Sequence, residues 1–219
     1  MCGRYAIIVP TDAMAQLFAA APANDLPPVP NYNVCPTDPV HVVREGVSGR
    51  ALVAMRWGFI PHRYKTPTDG PLLINARAET IAEKPAFREA CRARRCLVPA
   101  SGFYEWTKDA DGKRLPHYIT RADGAPLVMG GVWQDWAREG EQLTTCAVVT
   151  LPSSSDVAHI HHRMPLVLTL RDWPVWLGEE GKGAARLMTP APAGSLQSWR
   201  VDRAVNSNTA HGAHLIEPL

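Results

Sequence analysis

The chain has 219 residues and a mass of 24.0 kDa, with 46% hydrophobic residues, 20% charged residues and a formal net charge of +2. This is ordinary globular composition, long enough to bury a core without disulfide or metal staples, and it favours one domain spanning residues 1–219 over two full ones. The longest apolar runs fall far short of the ~18 residues of a membrane helix, Met1-Cys2-Gly3-Arg4 carries no apolar signal core, and repeats and heptads are absent, so a cytoplasmic protein is expected, not a membrane, secreted or fibrous one.

Short β-branched or aromatic runs punctuated by Gly, Pro, Asn and Asp predict strands at 5–9, 40–44, 51–57, 72–76, 96–98, 102–106, 117–121, 127–133, 144–150, 166–169 and 198–201. Helices are few. One is predicted from Thr11 or Asp12, either able to cap it, to about Ala20, with Leu17 and Phe18 inward. A second begins at Lys84-Pro85, runs through Phe87 and Cys91, and ends at the basic Arg92, Arg94 and Arg95. A third is predicted at 171–177. Many closely spaced strands with few helices imply an α+β fold with a mixed, barrel-like β core.

Charge is uneven. Residues 41–100 carry 11 Lys and Arg against 5 Asp and Glu, whereas 101–219 carry 11 against 13. The middle segment is therefore a candidate polyanion-facing surface. Of the basic residues 18 are Arg and 5 Lys, and Arg suits phosphate and base stacking. The five cysteines are Cys2, Cys35, Cys91, Cys96 and Cys146, with no C-x-x-C pair. All but Cys2 read as small buried hydrophobes.

Four constellations could carry chemistry. Removal of Met1 before a small residue would leave Cys2 with a free α-amine beside its thiol, two nucleophiles usable near neutrality. The amine can form an imine with an aldehyde, and the thiol can then close a thiazolidine. The same cysteine could instead attack an amide, with its own amine as general base. In Leu73-Ile74-Asn75-Ala76-Arg77-Ala78-Glu79-Thr80, Asn75 and Arg77 follow an apolar strand. In Gly102-Phe103-Tyr104-Glu105-Trp106, alternation sets Glu105 on the face opposite Tyr104 and Trp106. An inward-facing Glu105 would be desolvated, as a general acid/base is. In His159-Ile160-His161-His162-Arg163-Met164-Pro165, three histidines fall in four positions. No ligand partner stands at metal spacing, so no metal or other cofactor is expected, and an acid/base histidine is the better reading. Strand-like alternation would put His159 and His161 on one face and His162 on the other.

Together these segments resemble the SOS response-associated peptidase family of abasic-site processing proteins. The resemblance runs nearly end to end. It includes Met1-Cys2-Gly3-Arg4-Tyr5, Tyr32-Asn33-Val34-Cys35-Pro36 and Arg56-Trp57-Gly58-Phe59-Ile60-Pro61. It continues through Asn75-Ala76-Arg77-Ala78-Glu79-Thr80, Gly102-Phe103-Tyr104-Glu105-Trp106 and Ile160-His161-His162-Arg163-Met164-Pro165, and ends with Ala204-Val205-Asn206 and Leu215-Ile216-Glu217-Pro218. The resemblance implies that Cys2 forms a covalent thiazolidine with the ring-opened sugar of an abasic site in single-stranded DNA, supported by Asn75, Glu105 and His161. Arg4, Arg77 and Arg163 are expected to grip flanking phosphates, and Tyr64 and Trp106 to contact the DNA as well. Where the family has an aromatic pair, this chain has His62-Arg63-Tyr64-Lys65, with Tyr64 the only aromatic. Associated lyase and peptidase activities, a monomer, and nucleoid association when bound to DNA are further expectations. The alternative is an N-terminal-nucleophile cysteine amidohydrolase or peptidase without DNA crosslinking.

Overall fold

A computed structural model describes residues 2–219. It contains thirteen strands and three α-helices. In chain order these are β1 (Tyr5–Ile7), α1 (Thr11–Phe18), β2 (Ala20–Pro22), β3 (Asn31–Val34), β4 (Pro39–Gly46), β5 (Gly49–Trp57), β6 (Asn75–Arg77) and α2 (Arg88–Ala93). They continue with β7 (Arg95–Ala100), β8 (Gly102–Lys108), β9 (Arg114–Arg121), β10 (Leu127–Arg138), β11 (Glu141–Pro152), β12 (Arg163–Pro165), α3 (Trp173–Leu177) and β13 (Leu196–Arg200). The larger sheet has the order β12-β11-β10-β7-β4-β5-β2, and β11 also pairs with β5. That parallel contact, Thr145 with Arg56 and Cys146 with Trp57, closes β5, β4, β7, β10 and β11 into a barrel. A second sheet, β13-β9-β8-β1-β3, lies against it. The expected α+β class with a mixed, barrel-like core is the observed one. No helix of the described residues is long and apolar enough to cross a membrane.

The barrel core is built by Val42, Leu52, Leu97, Val98, Val148 and their neighbours. Residues 96–100 and 146–151 are buried continuously, the pattern of strands covered on both faces. Trp57 and Trp176 are fully buried, and their indole N–H groups donate to the carbonyls of Ile74 and Cys96. A separate cluster of Ala6, Tyr104, Tyr118, Val201, Val205 and Leu215 covers the opposite face of the second sheet.

Several local expectations are corrected. In α1 the inward pair is Met14 and Phe18, four apart on one face, while Leu17 is 40% exposed. Neither Thr11 nor Asp12 caps it: Pro10 holds that position without a side-chain bond, and Ala19 ends the helix in a left-handed conformation. The helix predicted from Lys84 begins only at Arg88, because 80–87 form consecutive turns. The strand expected at 72–76 is Asn75–Arg77, preceded by a single bridge from Leu73 to Phe59. Residues 166–169 form no strand. The segment wedges between β10 and β11, with Leu166 N–H bonding Val149 and Gly130 N–H bonding Leu166, so neither side builds a ladder. β2, β3 and β12 carry too few apolar alternations to be read from sequence.

His41 on β4 is 1% exposed. Its ring bonds the Pro27 backbone, where only a carbonyl is on offer, so the ring donates and Nε2 is left without a hydrogen-bond partner among the described residues. Burial lowers its pKa to about 4. The unfolded imidazole titrates near 6.5, so between those values only the unfolded chain takes up the proton. Stability present above pH 6.5 is therefore lost as pH falls toward 4, by on the order of 2 to 3 kcal/mol. Denaturant titrations at pH 7 and 4.5 should show this decrease in the wild type and a smaller one in His41→Leu.

Candidate functional site

The site lies where the N-terminus meets both sheets. β1 pairs antiparallel with β8, Tyr5 opposite Phe103, and the Tyr104 N–H bonds the Arg4 carbonyl at 2.9 Å. The register carries the chain before β1 alongside Glu105. β6 pairs parallel with β11, Val148 opposite Asn75, and β12 pairs with the end of β11, Pro152 opposite Arg163. The starts of β1, β6 and β12 and the middle of β8 thus deliver Cys2, Asn75, His161 and Glu105 to one place.

The Asn75 side-chain amide donates to the Cys2 carbonyl at 2.8 Å. Its own carbonyl oxygen is buried without a hydrogen-bond partner among the described residues, an acceptor held in place without charge. Cys2 is fully buried. Its thiol is pushed well above the usual range, chiefly by burial and then by the negative charge of Glu105, against a smaller opposing effect of a hydrogen bond from the Arg4 backbone. Glu105 is 3% exposed and faces away from the Tyr104 cluster, as alternation requires. Its Oε1 lies 3.9 Å from His161 Nδ1.

His161 sits at the end of a turn, not on a strand, so strand alternation does not describe the histidines. His161 and His162 stack, with ring centroids 4.4 Å apart, while His159 is exposed. The turn is fastened by the Ser153 hydroxyl, which donates to the His161 carbonyl at 2.6 Å, and by the Ser153 N–H to the His162 carbonyl. His161 Nδ1 faces the Arg163 backbone, 3.0 Å from its N–H and 3.2 Å from its carbonyl oxygen. Among the described residues no group of three or more His, Cys, Asp or Glu is placed to hold a metal.

The five basic and aromatic residues expected to contact DNA divide. Arg77 is exposed, and its guanidinium makes no hydrogen bond or ion pair among the described residues, with its positive charge felt by Glu79. Arg4 is buried and binds Asn33, the Val205 carbonyl and Asn208, tying the site to the C-terminal segment. Arg163 is 9% exposed and forms a forked pair with Glu79, with a further bond to the Thr150 carbonyl at 2.7 Å. That pair holds the Glu79 carboxyl below the usual carboxylate range. Tyr64 is 7% exposed and packs with Ile60 and Trp136, with Arg63 over its ring. Trp106 lies on the sheet face away from Glu105, donates to Asn206 at 2.6 Å, and has the Arg114 guanidinium 4.3 Å above its ring.

Part of the positive middle segment is taken up by contacts within the fold. Arg50 forms a forked pair with Glu179, Arg56 binds the Gly58 carbonyl, Arg44 covers Trp133, and Arg95 ties α2 to α3. Sequence reasoning passed over His117, which stands opposite Glu105 in the β8–β9 hairpin. The Asp111-Gly112 turn was the signal that fixes this register.

A family model described as SOS response associated peptidase (SRAP) matches residues 1–208. The chain is 31% identical over 224 residues to the abasic site processing protein YoqW of Bacillus subtilis, covering 99% of each chain. It is 32% identical over 227 residues to the abasic site processing protein YedK of Escherichia coli, covering 100% of each. A crystal structure of a Bacteroides thetaiotaomicron protein matches with a TM-score of 0.86 over 100% of both chains at 23% identity, a likeness of fold.

Proposed function

Because the chain belongs to the SOS response associated peptidase (SRAP) family, we propose that it processes abasic sites in single-stranded DNA by covalent capture through its N-terminal cysteine. The observation that carries this reading is the convergence of Cys2, Asn75, Glu105 and His161 from four strands.

An abasic sugar is a hemiacetal in equilibrium with an aldehyde. Ring opening takes a proton from the C1′ hydroxyl and gives one to the ring oxygen. Glu105 and the imidazole of His161 are the pair suited to those transfers. With Met1 removed, the Cys2 amine adds to the aldehyde carbon, and the carbinolamine loses water to give an imine. The thiol then adds to the imine carbon, and its proton passes to the nitrogen. The balance is one C–N bond and one C–S bond formed and one water released. A buried thiol held in its protonated form fits this order, with the amine as first nucleophile and the thiol closing the ring. Closure also consumes the imine, the species from which β-elimination would break the strand, so capture and lyase chemistry compete for one intermediate. Asn75 holds the Cys2 backbone in place without adding charge. Exposed Arg77 serves a flanking phosphate, and an abasic nucleotide, with no base to stack, is readily extruded toward the site.

The test is a denaturing gel of the Met1-processed protein mixed with single-stranded DNA carrying an aldehydic abasic site. A shifted, denaturant-stable band is expected, and none with a tetrahydrofuran analogue that lacks the aldehyde. A band with both DNAs, or with neither, would refute the reading.

A further inference from the structure

One face of the second sheet continues outward from Glu105. His117 on β9 is opposite Glu105 on β8, and Arg200 on the edge strand β13 is opposite His117. Directly opposed residues of antiparallel strands share a face. The three therefore form a cross-strand row spanning about 10 Å, two strand spacings. Thr107 Oγ1 lies 3.0 Å from His117 Nε2 on the same face and fixes that ring. The turn bearing His159 is anchored on the β13 side, where Asp156 accepts from the backbone of Gly194 at 2.9 Å and Leu196 at 3.1 Å.

The outer part of this row has no counter-charge. Among the described residues no carboxylate lies within ion-pair distance of Arg200, and its Nε is buried without a hydrogen-bond partner. Arg50, Arg121 and Arg163 are all paired to carboxylates. The His117 imidazole is held below its usual pKa by burial first, then by the charges of Arg200 and His159. The one acid in the row is Glu105, at its inner end. A guanidinium with no carboxylate at ion-pair distance, opposite an imidazole, is an arrangement that an incoming anion relieves.

We propose that Arg200 and His117, with His159 beside them, form a phosphodiester-binding track that receives the DNA backbone next to the captured abasic nucleotide. This rests on the DNA reading above and deepens it, by giving the flanking strand a course across β8, β9 and β13. A track that starts at the reacting site fits a continuous backbone, and a free phosphate is the competing occupant of the same chemistry.

The experiment is fluorescence anisotropy of single-stranded DNA carrying the unreactive tetrahydrofuran analogue, over a range of salt concentrations, with the full chain. Arg200→Gln should lower the slope of log affinity against log salt by about 0.7, one phosphate contact, and Arg200→Lys should restore most of it. Arg121→Ala, on β9 with His117 but paired with Asp123, removes equal charge and should leave the slope as in the wild type. Replacing single flanking linkages by neutral methylphosphonates should weaken wild-type binding at one position, and this sensitivity should vanish in Arg200→Gln. Inorganic phosphate that blocks wild-type binding of native DNA and of the methylphosphonate at that position equally would show an anion site that is no part of the DNA path. Identical slopes and methylphosphonate profiles for wild type and Arg200→Gln would overturn the track. If the wild type still forms its covalent adduct in that case, the track alone falls. If the wild type neither binds nor reacts, the capture reading falls with it.

Discussion

Cys2→Ala is expected to abolish the denaturant-stable adduct completely. The thiazolidine needs both a sulfur and a free amine on one residue, and alanine keeps only the amine. Cys2→Ser should leave a labile imine that borohydride traps but heat and denaturant release. An uncleaved N-terminal extension should be as damaging as the alanine, because acylation removes the amine that reacts first. The fold should survive all three changes. Cys2 is fully buried, but Ser and Ala remove one atom or none beyond Cβ, and the Asn75 bond is made to the backbone carbonyl. An extended, uncleaved protein that crosslinks at the native rate would rule out the amine as nucleophile.

Glu105→Gln should slow adduct formation by about 10²–10⁴, the usual cost of losing a general acid/base, with far less effect on DNA affinity. Glutamine keeps the shape and can still hydrogen-bond, so a loss of rate reports proton transfer and not packing. His161→Ala should fall in the same range. His162→Ala removes only a stacking partner of His161 and should stay near wild type. The measurement is the single-turnover crosslinking rate across pH at saturating protein, together with anisotropy for affinity. Equal loss in His161→Ala and His162→Ala would point to a shared structural role for the histidine turn, and an unchanged rate in Glu105→Gln would remove that carboxylate from the chemistry.

The site was more legible in the sequence than its surroundings. Local chemistry singled out Cys2, the resemblance added Asn75, Glu105 and His161 as candidates beside it, and Glu105 faces inward because period-2 alternation survives in a strand paired on both sides. The barrel strands were legible for the same reason. The fate of the arginines was not. Whether a guanidinium meets solvent or a buried carbonyl depends on long-range neighbours: Arg4 is satisfied by Val205 and Asn208, some two hundred residues away. Tyr64 likewise lies under Trp136 because a distant hairpin packs over the 60–70 loop. The histidine segment failed as a strand because the turn at 155–160 breaks periodicity just before it. Short strands such as β3 and β12 draw their order from pairing partners, which no window of local sequence contains.

The central claim is that Cys2 alone joins protein to sugar through both its nitrogen and its sulfur. It is tested most directly by intact mass and tandem mass spectrometry of the wild-type adduct after nuclease and protease digestion. The account predicts a mass equal to Met1-processed protein plus DNA minus one water. The modification should map to the N-terminal Cys2 peptide, be unchanged by borohydride and leave no free thiol on that residue. A modification on a lysine, an adduct mass that gains two hydrogens on reduction, or an intact Cys2 thiol in the adduct would contradict it.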